Sequence, residues 1–240
     1  ESGDRLGVMG AAGNGPKYYA GGTFTRIDNR TDLVAFLADQ RRSFALMPAG
    51  ELCPLHKAAK GKFDYAVLDD SNAQFLLVAN GLPDGAENQN PLARSILRAA
   101  PPGMGDKVLA SFEDKVDLIG VDLPGSVSRG SVFDMTLYFR VNKPVGANWK
   151  IFVHFDGGGL RFQGDHDPIQ GRCGTNYWQE GDIIVDTFAV EAGDMSYEKT
   201  NYVARIGFFQ GSHGSWKNMK VTRGPKDDND RVSVGTIQVN

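Results

Sequence analysis

The chain has no long apolar run, no block of positive charge and very little cysteine, and each shortage removes a class of function. Its apolar stretches, such as Phe75 to Ala79, fall far short of the roughly 20 residues a membrane-crossing helix needs. No transmembrane segment is therefore expected within these 240 residues. Lys and Arg number 26 against 29 Asp and Glu, a net charge of -3, and no basic run exceeds the pair Arg41-Arg42. Phosphate backbones reward a clustered basic face, so no nucleic-acid partner is expected, nor a polybasic membrane anchor.

The two cysteines, Cys53 and Cys173, lie far apart and in no metal-binding spacing. That arrangement favours free buried thiols over a disulfide, with zinc ligation the least favoured. Catalytic signatures are scarce as well. There is no GxSxG elbow and no HExxH, and Gly10 stands just before AAGNGPKYY, which holds Gly13 and Gly15, does not match the phosphate-cradling pattern and is expected to precede a strand rather than open a helix after one. The chain starts at Glu1 without an initiator methionine or a charged-then-apolar leader, which suggests a mature protein or an excised domain.

What is present divides into two compositional halves. From Tyr18 to about Asn80 the apolar period switches repeatedly. YYAGGTFT reads as a strand, and Asn29 or Thr31 can cap a helix that puts Leu33, Phe36 and Leu37 on one face. SFALM is the next strand, followed by a helix with Leu52, Leu55 and Ala59 inward; DYAVL and QFLLV flank the turn residues Asp69 to Asn72 as a hairpin. The Gly/Pro/Asn-rich stretch from Asn80 to Asp106 reads as a linker holding a short helix, LARSILRAA, between Asn90-Pro91 and Pro101-Pro102-Gly103. After it the helical period disappears into strand-like runs. In VFDMTLYFRV, Phe133, Met135, Leu137 and Phe139 alternate with polar neighbours, the pattern of a half-buried antiparallel strand. The expected architecture is a small α/β lobe over residues 1–104, then an antiparallel β-sandwich over 105–240, jelly-roll or immunoglobulin-like.

The stretch from Trp149 to Asp186 concentrates the chemistry: two of the four histidines, one cysteine, two of the three tryptophans and many aspartates. Alternation along WKIFVHFD sends Trp149, Ile151, Val153 and Phe155 to one face and leaves Lys150, Phe152, His154 and Asp156 on the other. His154 and Asp156, with Arg161 beyond them and Trp149 and Trp178 as stacking surfaces, are the candidate ligand-binding side chains. Trp216, Tyr177 and Tyr202 could extend such a platform for sugar rings, although the reading of Trp149 and Trp178 as core or lid residues is the favoured one. Asp165, His166 and Asp167 in a loop are a candidate metal set, for zinc with His154 or for calcium with backbone carbonyls. The bland reading has these aspartates capping turns and the histidines bonding backbone. Asp227-Asp228-Asn229-Asp230 reads as a solvated hairpin loop.

Trp178 to Asp186, WQEGDIIVD, together with Asp167-Pro168, Gly171 and Thr175 ahead of it, resembles a signature of soluble sandwich domains in bacterial membrane glycosyltransferase-like proteins. The first lobe, YYAGGTFTRIDNRTDLVAFLADQRRSFALMPAGELCPL, is similar to the α/β extracytoplasmic region that follows the membrane helices in enzymes using lipid-linked sugars. The resemblance implies architectural roles: Trp178 covers a sandwich end, Gly181 turns the chain, Ile183 and Val185 enter the core, and Asp186 bonds loop backbone. It implies no catalytic residue here, because the catalytic acid of such enzymes lies in the membrane part. The functional expectation is a non-catalytic, extracytoplasmic, membrane-tethered region that positions an acceptor or glycan. Its partner would be the membrane domain of the same polypeptide or an envelope complex. The other readings are a carbohydrate-binding sandwich, with no cofactor beyond a possible calcium or zinc ion, and a metal-dependent hydrolase using His154, Asp165 and His166.

Overall fold

The computed structural model describes residues 3–10, 23–72, 74–104, 107–193, 200–212 and 214–240. The chain forms two compact units, Glu1–Ala93 and Arg94–Asn240. Ile96 and Leu97, within the stretch expected to be a linker helix, pair antiparallel with Ile184 and Ile183. The helix there is only Leu92–Ser95, and Ile96–Leu97 form a strand of the second unit.

The first unit is a mixed sheet with two helices. Strands β1 (Arg5–Met9), β2 (Thr25–Ile27), β3 (Ser43–Pro48), β4 (Ala66–Asp69) and β5 (Phe75–Ala79) lie in the order β2-β1-β3-β5-β4. The first three are parallel, and β5 runs antiparallel to both of its neighbours. Helix α1 (Arg30–Leu37) begins where Asn29 accepts the Asp32 backbone N–H on its side chain at 3.0 Å, and it buries Leu33, Phe36 and Leu37. Gly7 makes room for that packing, since a Cβ there would lie 2.5 Å from Ile27 and 2.9 Å from Phe36. Helix α2 (Leu52–Ala59) buries Leu52, Leu55 and Ala59, and tolerates Pro54 because it falls in the first turn. The expected hairpin forms, its turn held by Asn72 accepting from the backbone of Gln74 and Phe75. β1 corrects one expectation. It places a strand ahead of the glycine stretch, whose Gly13 and Gly15, like Tyr18 to Gly22 of the expected strand, lie outside the described residues.

The second unit is a two-sheet sandwich. Its strands are β6 (Ile96–Leu97), β7 (Ala110–Phe112), β8 (Val116–Asp122), β9 (Ser126–Val127), β10 (Val132–Val141), β11 (Lys150–Gly157), β12 (Leu160–Gln163), β13 (Ile183–Glu191), β14 (Thr200–Gln210), β15 (Lys217–Asn218), β16 (Val221–Arg223) and β17 (Val232–Val239). One sheet has the order β16-β7-β8-β10-β13-β6; the other has β12-β11-β14-β17-β9, with β15 beside β14. Phe133, Met135, Leu137 and Phe139 of β10 face inward as their alternation predicts. Aromatic rings close the layer between the sheets: Phe139 and Phe112 of the first meet Phe208 of the second at 5.2 and 5.0 Å, and Phe133 meets Phe155 at 5.8 Å. Successive strands β8 and β9 belong to different sheets, and β9 runs parallel to β17. With β8-β10-β13 facing β11-β14-β17, the connectivity is the immunoglobulin-like alternative, in which A-B-E faces C-F-G.

Cys53 and Cys173 are both disulfide-bonded, which corrects the expectation of free thiols. Oxidation depends on where folding carries each sulfur, and spacing along the chain does not reveal that.

Candidate functional site

Strand parity decides what the polar stretch after β12 can do. The backbone of His166 exchanges both hydrogen bonds with Ile151, 3.0 and 2.9 Å, so this segment adds to the second sheet beside β11 and its side chains alternate. His166 turns inward and donates Nε2–H to Asp186 at 2.8 Å and Nδ1–H to the Gly164 carbonyl at 2.7 Å. Its ring lies on Phe188 with centroids 3.8 Å apart. Asp165 and Asp167 point elsewhere. Asp165 accepts the Val153 backbone N–H at 2.9 Å, and Asp167 pairs with Lys150 at 3.0 Å. No group of three or more His, Cys, Asp or Glu that could hold a metal ion occurs among the described residues. The expected zinc or calcium set Asp165, His166 and Asp167 is therefore corrected: extended backbone sends neighbours to opposite faces, and each already has a protein partner.

The inward pair His166 and Asp186 is a clamp between the two sheets. Asp186 belongs to β13 of the first sheet and is fully buried, and its other oxygen accepts the Ile169 backbone N–H at 2.8 Å. Both ring nitrogens of His166 face acceptors, an arrangement only the doubly protonated ring can satisfy. Burial opposes that charge, but the Asp186 carboxylate overcomes it and holds the imidazole above its ordinary value. The Asp186 bond to loop backbone is the one the resemblance implies. The implied parity of β13 is corrected at one position: Ile184 and Asp186 face inward and Val185 is only half-buried, because a shift of one residue exchanges faces.

The outer face of the same second sheet carries a cleft. Phe152 and His154 of β11 stack at 4.9 Å, and Phe152 also lies across Gly207 of β14, where a Cβ would come within 2.3 Å of its ring. Phe209 of β14 stands 6.2 Å from Phe152 and meets the Trp216 indole edge-on at 5.4 Å. Trp216 is 59% exposed, the largest aromatic among the exposed hydrophobic residues. These rings wall a cleft of about 440 Å³ whose polar lining comes from Arg161, Asp165, Asn218, Asn229 and Arg231. His154 lies within 3.6 Å of Asp165 through Nε2, while its Nδ1 is buried with no hydrogen-bond partner. A larger depression of about 510 Å³, lined by Arg98, Arg140, Asn142 and Glu180 among others, has no aromatic side chain. It offers no stacking face.

Behind the cleft three guanidinium groups converge on one carboxylate. Asp156 accepts from Arg161 Nε at 2.6 Å, Arg205 Nη1 at 2.8 Å and Arg231 Nη1 at 3.1 Å. Burial works to raise its pKa, and the arginines more than reverse that, holding the carboxyl below its usual range. Asp227 in turn accepts Arg231 Nε at 2.7 Å, so the acidic loop from Asp227 to Asp230 positions a cleft residue through its own turn.

Of the residues singled out in the sequence, His154, Arg161, Asp165 and Trp216 line this cleft, and Asp156 joins them through Arg161. Trp149 and Trp178 do not, being 4% and 1% exposed. Trp178 packs against Phe139 and Phe208 and gives its Nε1–H to the Cys173 carbonyl at 3.3 Å, so neither indole presents a stacking face and their place in a binding platform is corrected to the core. Tyr202 is fully buried as well. The cleft also draws on Asn229, from the tract expected to be a solvated loop, and on residues that no sequence motif singles out: Phe209, Asn218 and Arg231. Phe209 and Arg205 were accessible in principle, since both sit at outward positions of YVARIGFF. Nothing local in the sequence marks Asn218.

No protein-family model matches the chain, and no curated protein matches it. Among solved structures it is similar to the C-terminal domain of wzt, at 12% identity and a TM-score of 0.38 over 58% of this chain and 82% of that one. It is also similar to the Pseudomonas fluorescens alkylpurine DNA glycosylase AlkC bound to DNA containing an abasic site analog, at 9% identity and a TM-score of 0.32 over 57% of this chain and 32% of that one. Likenesses of this size carry no argument about function.

Proposed function

We propose that the sandwich unit is a non-catalytic carbohydrate-binding domain whose site is the cleft on its second sheet. The observation that carries this reading is the exposed Trp216 indole, braced edge-on by Phe209 at the rim of a cleft with converging polar side chains. Sugar rings present a C–H face and a rim of hydroxyls, and an aromatic wall beside Asn, Asp and Arg answers both. His154, with Nδ1 unpartnered beneath, adds a ring nitrogen to the same lining.

The chain as a whole would serve as an extracytoplasmic region of a bacterial envelope protein of the glycosyltransferase-like kind, tethered through a membrane domain and presenting glycan or acceptor to it. Two observations support that placement. Both cysteines are oxidised, and disulfides persist mainly in oxidising compartments. Trp178, Gly181 and Asp186 also take the architectural positions that the resemblance implies: a buried cover, a turn at φ +84° and a bond to loop backbone. No helix among the described residues is long and apolar enough to cross a membrane.

The test is a glycan array followed by titration calorimetry on the 240-residue chain and its Trp216→Ala variant. Millimolar or tighter binding to a defined glycan, lost in Trp216→Ala with the fold intact, is the expected result. An array without a hit, or binding indifferent to Trp216, removes the reading. Turnover of a glycan by the isolated chain removes its non-catalytic part.

A further inference from the structure

The aromatic cleft does not end at Arg161. A second depression of about 560 Å³ adjoins it on the same sheet face, sharing Arg161 and lined besides by Asp156, Gly157, Gly159, Arg205 and the exposed Leu160. Its character is different: two guanidinium groups, one carboxylate, two glycines, one aliphatic side chain and no aromatic ring. Asp156 is committed to three arginines, and Arg205 gives it only Nη1–H among the described residues. With its side chain 26% exposed, Arg205 keeps N–H donors that can turn to solvent.

Resting on the carbohydrate reading above, we propose that the site takes an acidic oligosaccharide. One sugar ring lies against Trp216, and the anionic substituent of a neighbouring unit is held by Arg161 and Arg205. The physical reason is the pairing of neighbouring depressions with unlike linings. A planar guanidinium grips carboxylate, sulfate or phosphate oxygens through paired N–H donors, and a desolvated aromatic wall does not. Asp156 keeps the two guanidinium groups side by side and fixes their orientation, which lowers the cost of ordering them around a ligand. A neutral glycan would use only the aromatic depression.

The experiment compares three probes by titration calorimetry at low salt: a neutral glucose-based trisaccharide, an oligogalacturonate trisaccharide and a sulfated neutral trisaccharide. The intact chain should bind at least one acidic probe about tenfold more tightly than the neutral one, and the margin should shrink as salt rises. Whichever acidic arm is tighter names the substituent. Arg205→Gln, which leaves Asp156 its bonds from Arg161 and Arg231, should bring the acidic and neutral affinities together while neutral binding is retained; Arg205→Lys should restore part of the margin. Trp216→Ala should weaken all three. Equal binding of neutral and acidic probes, or a margin that survives Arg205→Gln, overturns the acidic-ligand inference and leaves the carbohydrate reading standing. Binding of none of them overturns both.

Discussion

Asp186 answers His166 with one oxygen, at 2.8 Å, and the Ile169 backbone with the other, so one carboxylate ties a strand of the first sheet to the loop that lies against the second. Removing either partner strands the other in a dry interior. Asp186→Asn or His166→Ala should cost about 3–5 kcal/mol, read from urea unfolding at pH 6. The pH dependence has a definite sign. The imidazole is held above its unfolded value, so its contribution is complete below about pH 6.5 and is lost as pH rises through the folded value. Unfolding free energy of the intact protein should therefore decline as pH rises above about 6.5, and His166→Ala should flatten that decline.

The Asp156 cluster titrates in the opposite sense. Its carboxyl lies below the usual range, so its stabilisation is present above the unfolded value of about 3.9 and disappears as pH falls through the lower folded value. Asp156→Ala leaves three guanidinium groups facing one another and should cost about 2 kcal/mol at neutral pH. Salt should recover part of that loss, because it screens the arginines from each other. Equilibrium unfolding of the variant at two ionic strengths is the check.

Gly207→Ala tests the floor of the cleft. Its methyl group would fall 2.3 Å from the Phe152 ring and must push it off the sheet, at a cost of about 1–3 kcal/mol. The same displacement should disturb the stacked His154, so weaker ligand binding is expected alongside the lower midpoint.

Tryptophan fluorescence should separate one indole from the other two. Iodide should quench Trp216 and leave the buried Trp149 and Trp178 nearly untouched. Trp216→Ala should then abolish most of the quenching, and a glycan ligand should relieve it in the intact chain.

Much of this architecture was legible because periodicity is a local signal. The inward residues of β10, the capped helix after Asn29 and the hairpin around Asn72 are all set by spacing and turn chemistry. β1 escaped because Arg5 to Met9 has little alternation and a glycine at its centre, and its place beside β2 and β3 comes from parallel pairing across the sheet. In the site, the outward face of β11 was readable, and with it His154 and Asp156. Arg231 and Trp216 reach the cleft only because β14, β15 and the loop before β17 are brought alongside, a long-range arrangement without local trace. The density of polar residues between Trp149 and Asp186 misled most. It marks two separate tasks, an inward clamp and an outward cleft, that strand parity assigns to different faces.

The parallel pair of β9 with β17 sets an order of events. Ser126 and Val127 can find their partners, Gln238 and Val239, only after the whole intervening sandwich has left the ribosome. Loop closure over that separation is slow and makes early native pairing unfavourable. The second unit should consequently acquire its tertiary structure late in synthesis and in one cooperative step, with the β14 edge of the second sheet open until β17 docks.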